Sequence, residues 1–303
     1  MPIRLNPDLL PDLLTAIQNS QQNINTATQQ LSSGRSVNQL SDNPSAVATL
    51  VGNHNQAAQD DQFLQNTGTL QTRLQVSDSA LSNVVAVLTR AVSIGTEGAN
   101  GTLSAADRQA VAGEVQGLST QLLSLANTTY QGTYLFSGTA VTTQPFTLNN
   151  ATNAVTYNGN GNTTSVQISS GNSINSSVPG SQLFTNAAGS AFGALQNLFA
   201  SLVSGSNIGQ AVAQVNSALT QVGVQRVAYG NALNQITLSE SFLNQDKINL
   251  SSQENTLIAA NPAKAATDFA QAQIAKPSYS QRHKPNLKPA HAPRFSKVST
   301  FSL

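Results

Sequence analysis

The sequence predicts a mainly α protein with a β insertion: long N- and C-terminal helices packed as a coiled-coil-like bundle, plus a small β module. Three observations carry this. Leu70, Leu74, Ser77, Leu81, Val84, Leu88 and Ala91 alternate four and three apart, a helical seam interrupted only by Ser77. Ile208, Val215, Val222, Tyr229, Ile236, Leu243, Leu250 and Leu257 hold an unbroken seven-residue register in the C-terminal half. Between the two, residues 130–189 replace helical periodicity with short runs and Asn-Gly punctuation.

The elements follow in order. Leu10, Ile17, Ile24 and Leu31 are spaced seven apart, which predicts an N-terminal helix with one narrow apolar seam. Gly34 supplies its stop, since glycine takes the left-handed conformation just past a helix end. Asn43 is placed to cap the next helix, with Pro44 at its first position, where a missing N–H costs nothing. No proline follows until Pro145, so a helix over 45–95 would be about 75 Å long. Residues 97–101 turn the chain, and Ser104 with Asp107 makes a capping box for a third helix. Strands are predicted at 132–136, 154–157 and 164–168, the last two joined as a hairpin through Asn158-Gly-Asn-Gly-Asn162. Helical period returns after about residue 190. A companion row four residues beyond the main one reads Val212, Leu219, Arg226, Leu233, Glu240, Lys247 and Glu254, so its second part flanks the seam with charge. Asn261-Pro262 interrupts this helix, and Ala263–Ala275 resumes it. The expected division is 1–44 (N-terminal helix and loop), 45–129 and 190–262 (the two halves of the bundle), 130–189 (β module), 263–275 (a short helical remnant) and 276–303 (tail).

Composition limits what the chain can do. Of 303 residues, 14 are Lys or Arg and 13 are Asp or Glu, and cysteine is absent. Zero cysteines exclude a disulfide framework, a thiolate metal site and a Cys nucleophile. No charged residue or histidine occurs between Glu114 and Arg226. A nucleic-acid surface needs clustered Lys and Arg, which the main body lacks. No run of about 18 uninterrupted apolar residues is present, so no membrane span is expected, and the N-terminus has no apolar core of a cleavable signal. His54 is expected to be a solvated or packing residue on a helix, and Asp60-Asp61 a solvated face, because adjacent helical residues do not face each other. The 158–162 run lacks the aspartates of a calcium repeat. No H-E-x-x-H, P-loop or G-x-S-x-G pattern occurs, so no enzyme, metal or cofactor is expected.

The segment Leu31-Ser-Ser-Gly-Arg-Ser-Val-Asn-Gln-Leu-Ser-Asp-Asn-Pro-Ser45 resembles the N-terminal signature of the bacterial flagellin superfamily. Val37-Asn38 followed by Ser41-Asp42-Asn43-Pro44 is closer to the hook–filament junction branch, the hook-associated protein 3 type, than to flagellin proper. Gly132-Thr-Tyr-Leu-Phe-Ser-Gly138 with Pro145-Phe146 resembles that branch's helix-to-β transition, and Arg226-Val-Ala-Tyr-Gly-Asn-Ala-Leu233 resembles its C-terminal helix. The resemblance implies a structural axial protein, exported unfolded without a cleavable signal through the type III apparatus, with an export chaperone. Its terminal helices would line an inner tube and its β module would face outward. Implied partners are hook-associated protein 1, flagellin and further copies of the chain in a ring or short layer, with neither nucleic acid nor membrane. On this resemblance the assembly contacts would be Leu31, Gly34, Arg35, Val37, Asn38, Asp42, Asn43 and Pro44, with Arg226, Gly230 and Leu233. A short flagellin forming the filament is the nearest alternative, and a secreted coiled-coil adhesin or effector a more distant one. The chain departs from the family at Lys276: residues 276–303 hold six basic residues, four prolines and no acid. This tail is expected to be disordered and unable to complete an inner helix, as a shifted reading frame would produce; a functional basic arm binding an anionic partner is the alternative.

Overall fold

The computed structural model describes residues 9–149, 154–186 and 189–282. The elements run α1 (Leu9–Ser33), α2 (Pro44–Gly98), α3 (Ala105–Ala126), β1 (Thr129–Tyr130), β2 (Thr133–Tyr134), β3 (Phe146–Asn149) and β4 (Ala154–Tyr157). They continue as β5 (Ser165–Ser169), β6 (Asn172–Asn175), α4 (Gly180–Phe184), α5 (Ala191–Ser204), α6 (Ile208–Ile258) and α7 (Pro262–Arg282). Two compact units result, residues 1–53 with 251–303, and residues 54–250. The predicted boundaries at 44 and 262 follow the prolines, whereas the packing boundaries fall inside the continuous helices α2 and α6. The β module does not stand alone either, because its apolar side chains share the core of the larger unit.

In that larger unit the predicted α2 seam is fully present: Leu70, Leu74, Ser77, Leu81, Val84, Leu88 and Ala91 are all buried. On α6 the row Ile208, Val215, Val222, Tyr229, Ile236 and Leu243 is buried, but Leu250 and Leu257 are only half-buried and Ile258 is buried instead. The companion row also differs. Val212, Leu219 and Leu233 are half-buried, while the row three residues on from the main one supplies buried Ala211, Ala218 and Ser239. Small residues allow a neighbouring element to sit close there, and the Ser239 hydroxyl donates to the Ile168 carbonyl at 2.8 Å. By length and composition α2 contains an 18-residue window apolar enough to cross a membrane, but 44% of that window is buried within the protein.

The three sheets are antiparallel pairs, β1–β2, β3–β4 and β5–β6. The predicted hairpin through 158–162 is therefore not formed: β4 pairs back with β3, Phe146 opposite Tyr157, and β5 pairs forward with β6. The predicted strand at 132–136 shortens to Thr133–Tyr134. A non-local contact explains the difference. The Asn160 amide N–H donates to the Ser137 carbonyl at 3.1 Å, and its side-chain oxygen accepts from the Thr139 N–H at 3.0 Å. Gly138 has φ +72°, and a Cβ there would meet the Asn160 carbonyl. The Asn-Gly run is thus a docked loop. Phe146 lies at the centre of an aromatic cluster, with ring centroids 5.0 Å from Tyr157, 5.4 Å from Phe184 and 5.3 Å from Phe192. This cluster joins β3, β4, α4 and α5.

In the smaller unit α1 packs closely on α7. Of the predicted α1 seam, Ile17 and Ile24 are half-buried and Leu31 is exposed, and the side chain of Leu10 lies outside the described residues. The buried positions are Ser20 and Ala27, three residues on, facing Ala265 and Ala272 on α7. The Ser20 hydroxyl donates to the Ala272 carbonyl at 2.9 Å. The expected break at Lys276 is not a helix end, since α7 continues to Arg282. Pro277 lacks the N–H that would bond the Gln273 carbonyl, but one missing bond need not end a helix already propagated. Residues 283–303 lie outside the described residues.

Phe146→Ala should cost about 3–5 kcal/mol in urea unfolding. Gly180→Ala should also destabilise, because its Cβ would come 2.7 Å from the Phe146 ring and 2.8 Å from the Phe136 carbonyl. Limited proteolysis should remove α1 and α7 first and leave a fragment close to 54–250. Their interface buries mainly methyl-sized groups, and each buried CH₂ contributes only about 0.8 kcal/mol. A protected α1 would show the reverse order of stability.

Candidate assembly surface

The residues singled out in the sequence lie in two places, Leu31 to Pro44 in the smaller unit and Arg226 to Leu233 in the larger. At the first, Gly34 closes α1 with φ +68° and donates its N–H to the Gln30 carbonyl at 2.9 Å. No atom crowds the missing Cβ, so the conformation alone requires glycine. The chain then pairs with the α6–α7 linker. The Ala260 N–H donates to the Gly34 carbonyl at 2.9 Å, the Ser36 N–H to the Ile258 carbonyl at 2.6 Å, and Arg35 lies opposite Ala259 in an antiparallel bridge. The sequence carries no signal for this pairing, which joins residues more than 200 apart; Asn261-Pro262 marks only the break between α6 and α7.

Asp42 shapes the rest of the loop. Its Oδ2 accepts from the N–H groups of Asn38 and Gln39, both at 2.8 Å, and the Asn38 side chain donates to the Arg35 carbonyl at 2.9 Å. Asn43 Oδ1 accepts from the Ala46 N–H at 3.1 Å, and Pro44 opens α2, as the capping reading expected. Arg35 faces Glu254 at 3.8 Å, a loose and largely exposed ion pair. Val37 is half-buried. Asn38, Asp42 and Asn43 are therefore engaged within the chain, and between them the loop turns Leu40 outward, 78% exposed, beyond the 43% exposed Leu31 at the end of α1.

At the second place Arg226 does not point away from the helices. Its Nε and Nη2 donate to the Asp78 carboxylate at 2.9 and 3.3 Å, a two-pronged pair across α2 and α6. The Asp78 hydrogen bonds, then its charge, hold the guanidinium more firmly protonated than usual. Both side chains are one-third exposed, so the pair contributes less than about 1 kcal/mol. Leu233 is half-buried against the core, and Gly230 has open space around it. Tyr229, next to Gly230, is buried, and its hydroxyl accepts from the Val178 N–H at 3.2 Å. Burial raises this phenol, so it stays neutral. The charges flanking the α6 seam signalled such pairs: Arg226 meets Asp78, Lys247 meets Asp61, and Glu254 meets Arg35.

Among the described residues no group of three His, Asp or Glu could hold a metal ion. His54 is exposed on α2. A cavity of about 630 Å³ between α1 and α7 is lined by neutral amides such as Asn19, Asn23 and Gln271, with Lys264 and Asp268 paired to each other at 2.9 Å. The Asp60-Asp61 expectation is half overturned: Asp61 is exposed, but Asp60 is buried, because neighbouring helical residues are turned about 100° apart.

Residues 11–140 match the family of the bacterial flagellin N-terminal helical region. Flagellar hook-associated protein 3 of Escherichia coli K12 is 35% identical over 134 residues, 44% of this chain and 42% of that protein. Its counterpart in Salmonella typhimurium LT2 is 30% identical over 174 residues, 57% of this chain and 54% of that protein. The chain thus spans about half the length of the curated relatives it matches. The crystal structure of the flagellar junction protein FlgL from Legionella pneumophila superposes with a TM-score of 0.61 at 19% identity, covering 70% of this chain and 100% of that one. Residues 11–140 are thus similar to the flagellin N-terminal helical region, and the fold is similar to that of the Legionella protein.

Proposed function

We propose that this chain is a structural component of the bacterial flagellum, a junction protein connecting hook to filament. The observation that carries the reading is the Leu31–Pro44 loop, where Asp42 and Asn43 hold the backbone and leave Leu40 outward. A loop whose polar groups are already satisfied can present an apolar side chain to a neighbour with little further ordering. The flagellin-type N-terminal region and the names of the relatives support a place in the flagellar axis. In this reading the chain forms a ring or short layer of copies between hook-associated protein 1 and flagellin. It reaches that place by export without a cleavable signal, aided by a chaperone. Leu31, Gly34, Arg35, Val37, Asn38, Asp42, Asn43 and Pro44, and separately Arg226, Gly230 and Leu233, would act on assembly by fixing the shape of the surface around them. The flagellin-type region also keeps a short flagellin in view, and the two readings differ in how growth stops.

Purified chain added to hook-associated protein 1-capped hooks should form a layer that stops growing, and complementing a strain that lacks its junction protein should restore motility. Growth into long filaments would favour the flagellin reading, and unchanged motility would remove the junction role. Leu40→Ser should shift monomer stability by less than about 0.5 kcal/mol yet abolish layer formation. Asp42→Ala should lower stability by about 1–2 kcal/mol and weaken assembly through loss of loop shape. Normal assembly by Leu40→Ser would exclude this loop as the contact.

A further inference from the structure

Asp60 occupies a core position of α2. It begins the seven-residue row Asp60, Thr67, Leu74, Leu81 and Leu88, all of which are buried. Asp246 ends the α6 row that runs through Ala232 and Ser239. The Asp61–Lys247 ion pair ties the two helices together at this level and brings the adjacent Asp60 and Asp246 to each other, so the apolar seam closes at this end on a pair of carboxyl groups. Asp60 is 1% exposed, and its Oδ1 accepts from the Gln56 side chain at 3.0 Å. Its Oδ2 is shut off from water with no donor to satisfy it. The nearby cation does not fill this need, because Lys247 is paired with Asp61 on the outer side. The β5–β6 hairpin, which approaches the same stretch through Ser239 and Asn66, carries no charged residue.

Two facing carboxylates offer only acceptors, and a proton taken from solvent would turn the contact into an O–H···O⁻ hydrogen bond. We propose that Asp60 takes up a proton and donates it in a hydrogen bond to the Asp246 side chain, forming a pH-sensitive latch between α2 and α6. The Asp60 carboxyl is raised above its ordinary value, first by desolvation and further by Asp246 and Asp61, against a lowering bond from Gln56. A raised acid favours the folded chain when protonated. Its stabilisation is complete below the unfolded value near 3.8 and is lost as pH rises through the folded value. The latch is closed in acid and released toward neutral pH.

The test uses the full chain and its D60N and D246N variants, melted between about pH 4 and pH 8. D60N should melt about 3 °C above wild type at the upper pH, with the gap closing at the lower. Carbon-detected titration of labelled aspartate should place wild-type Asp60 above the ordinary carboxyl range, and D246N should bring it back down. Amide exchange in residues 56–64, corrected for its intrinsic pH dependence, should slow in acid in wild type but not in D60N. Parallel melting curves for wild type and D60N would overturn the latch. So would an Asp60 titration unmoved in D246N, a measurement that stands even if D60N fails to fold.

Discussion

The constraint on which the larger unit depends is that neither α2 nor α6 can bury its own apolar row. Each carries a stripe of apolar side chains about one residue wide per turn, with Gln, Asn, Ser and Thr around it. A helix of this kind gains little from propensity alone, and its stability in water comes from a partner. Leu74, Leu81 and Leu88 on one side and Val215, Val222 and Ile236 on the other are each fully buried. Burying such a side chain contributes about 1.5–3 kcal/mol. The ion pairs lie along the seam and set its register: Arg226 with Asp78 and Lys247 with Asp61 run in opposite chain directions, as antiparallel helices require.

The seam changes character along its length, and each change has a local consequence. At one end Gly95 and Gly98 let Val212, Leu198 and Leu202 pack against the backbone of α2, where a Cβ would collide with them. In the middle Tyr229 brings a hydroxyl into the core and satisfies it with the Val178 amide. Arg73 reaches outward from α2 to donate to Thr133 and the Tyr134 carbonyl, tying the β1–β2 hairpin down. Beyond Leu70 the apolar row gives way to Thr67 and Asp60. Thr67 satisfies itself by donating to the Leu64 carbonyl, whereas Asp60 keeps an oxygen without a donor. The seam is driven by burial over most of its length and governed by polar satisfaction at its end.

The β module is bound to this frame by aromatic packing more than by sheet. Its sheets are only two strands each, and such pairs are marginal in isolation. Phe136, Phe146 and Phe184 are fully buried and hold edge contacts near 5.5 Å that fix the module against α4, and Phe146 also meets Phe192 of α5 at 5.3 Å. Its outer positions are uncharged through the 111 residues between Glu114 and Arg226. Contacts made there rest on shape, amides and methyl groups, and salt has little to screen.

What the sequence determined by itself was whatever is encoded over one or two turns. The Gly34 stop, the Asn43 cap, the Ser104–Asp107 box, the α2 row and the α6 row as far as Leu243 are local patterns, and the structure carries each of them, whereas the α1 row shifts to Ser20 and Ala27. The flagellin-type resemblance rested on similarly contiguous residues, Leu31 to Ser45. Tertiary structure decided the remainder, because the deciding contacts join distant residues. Asn-Gly at 158–162 is a sound hairpin turn in isolation, but Asn160 bonds Ser137 and Thr139, so β4 turns back to β3 and places Phe146 beside Tyr157. The second α6 row is Ala211 and Ala218 and not Val212 and Leu219, since a close neighbour leaves room for a methyl group and not for a branched chain. Asp60 and Asp61 are adjacent in sequence and opposite in fate, because only the position of α6 determines which of them faces the seam.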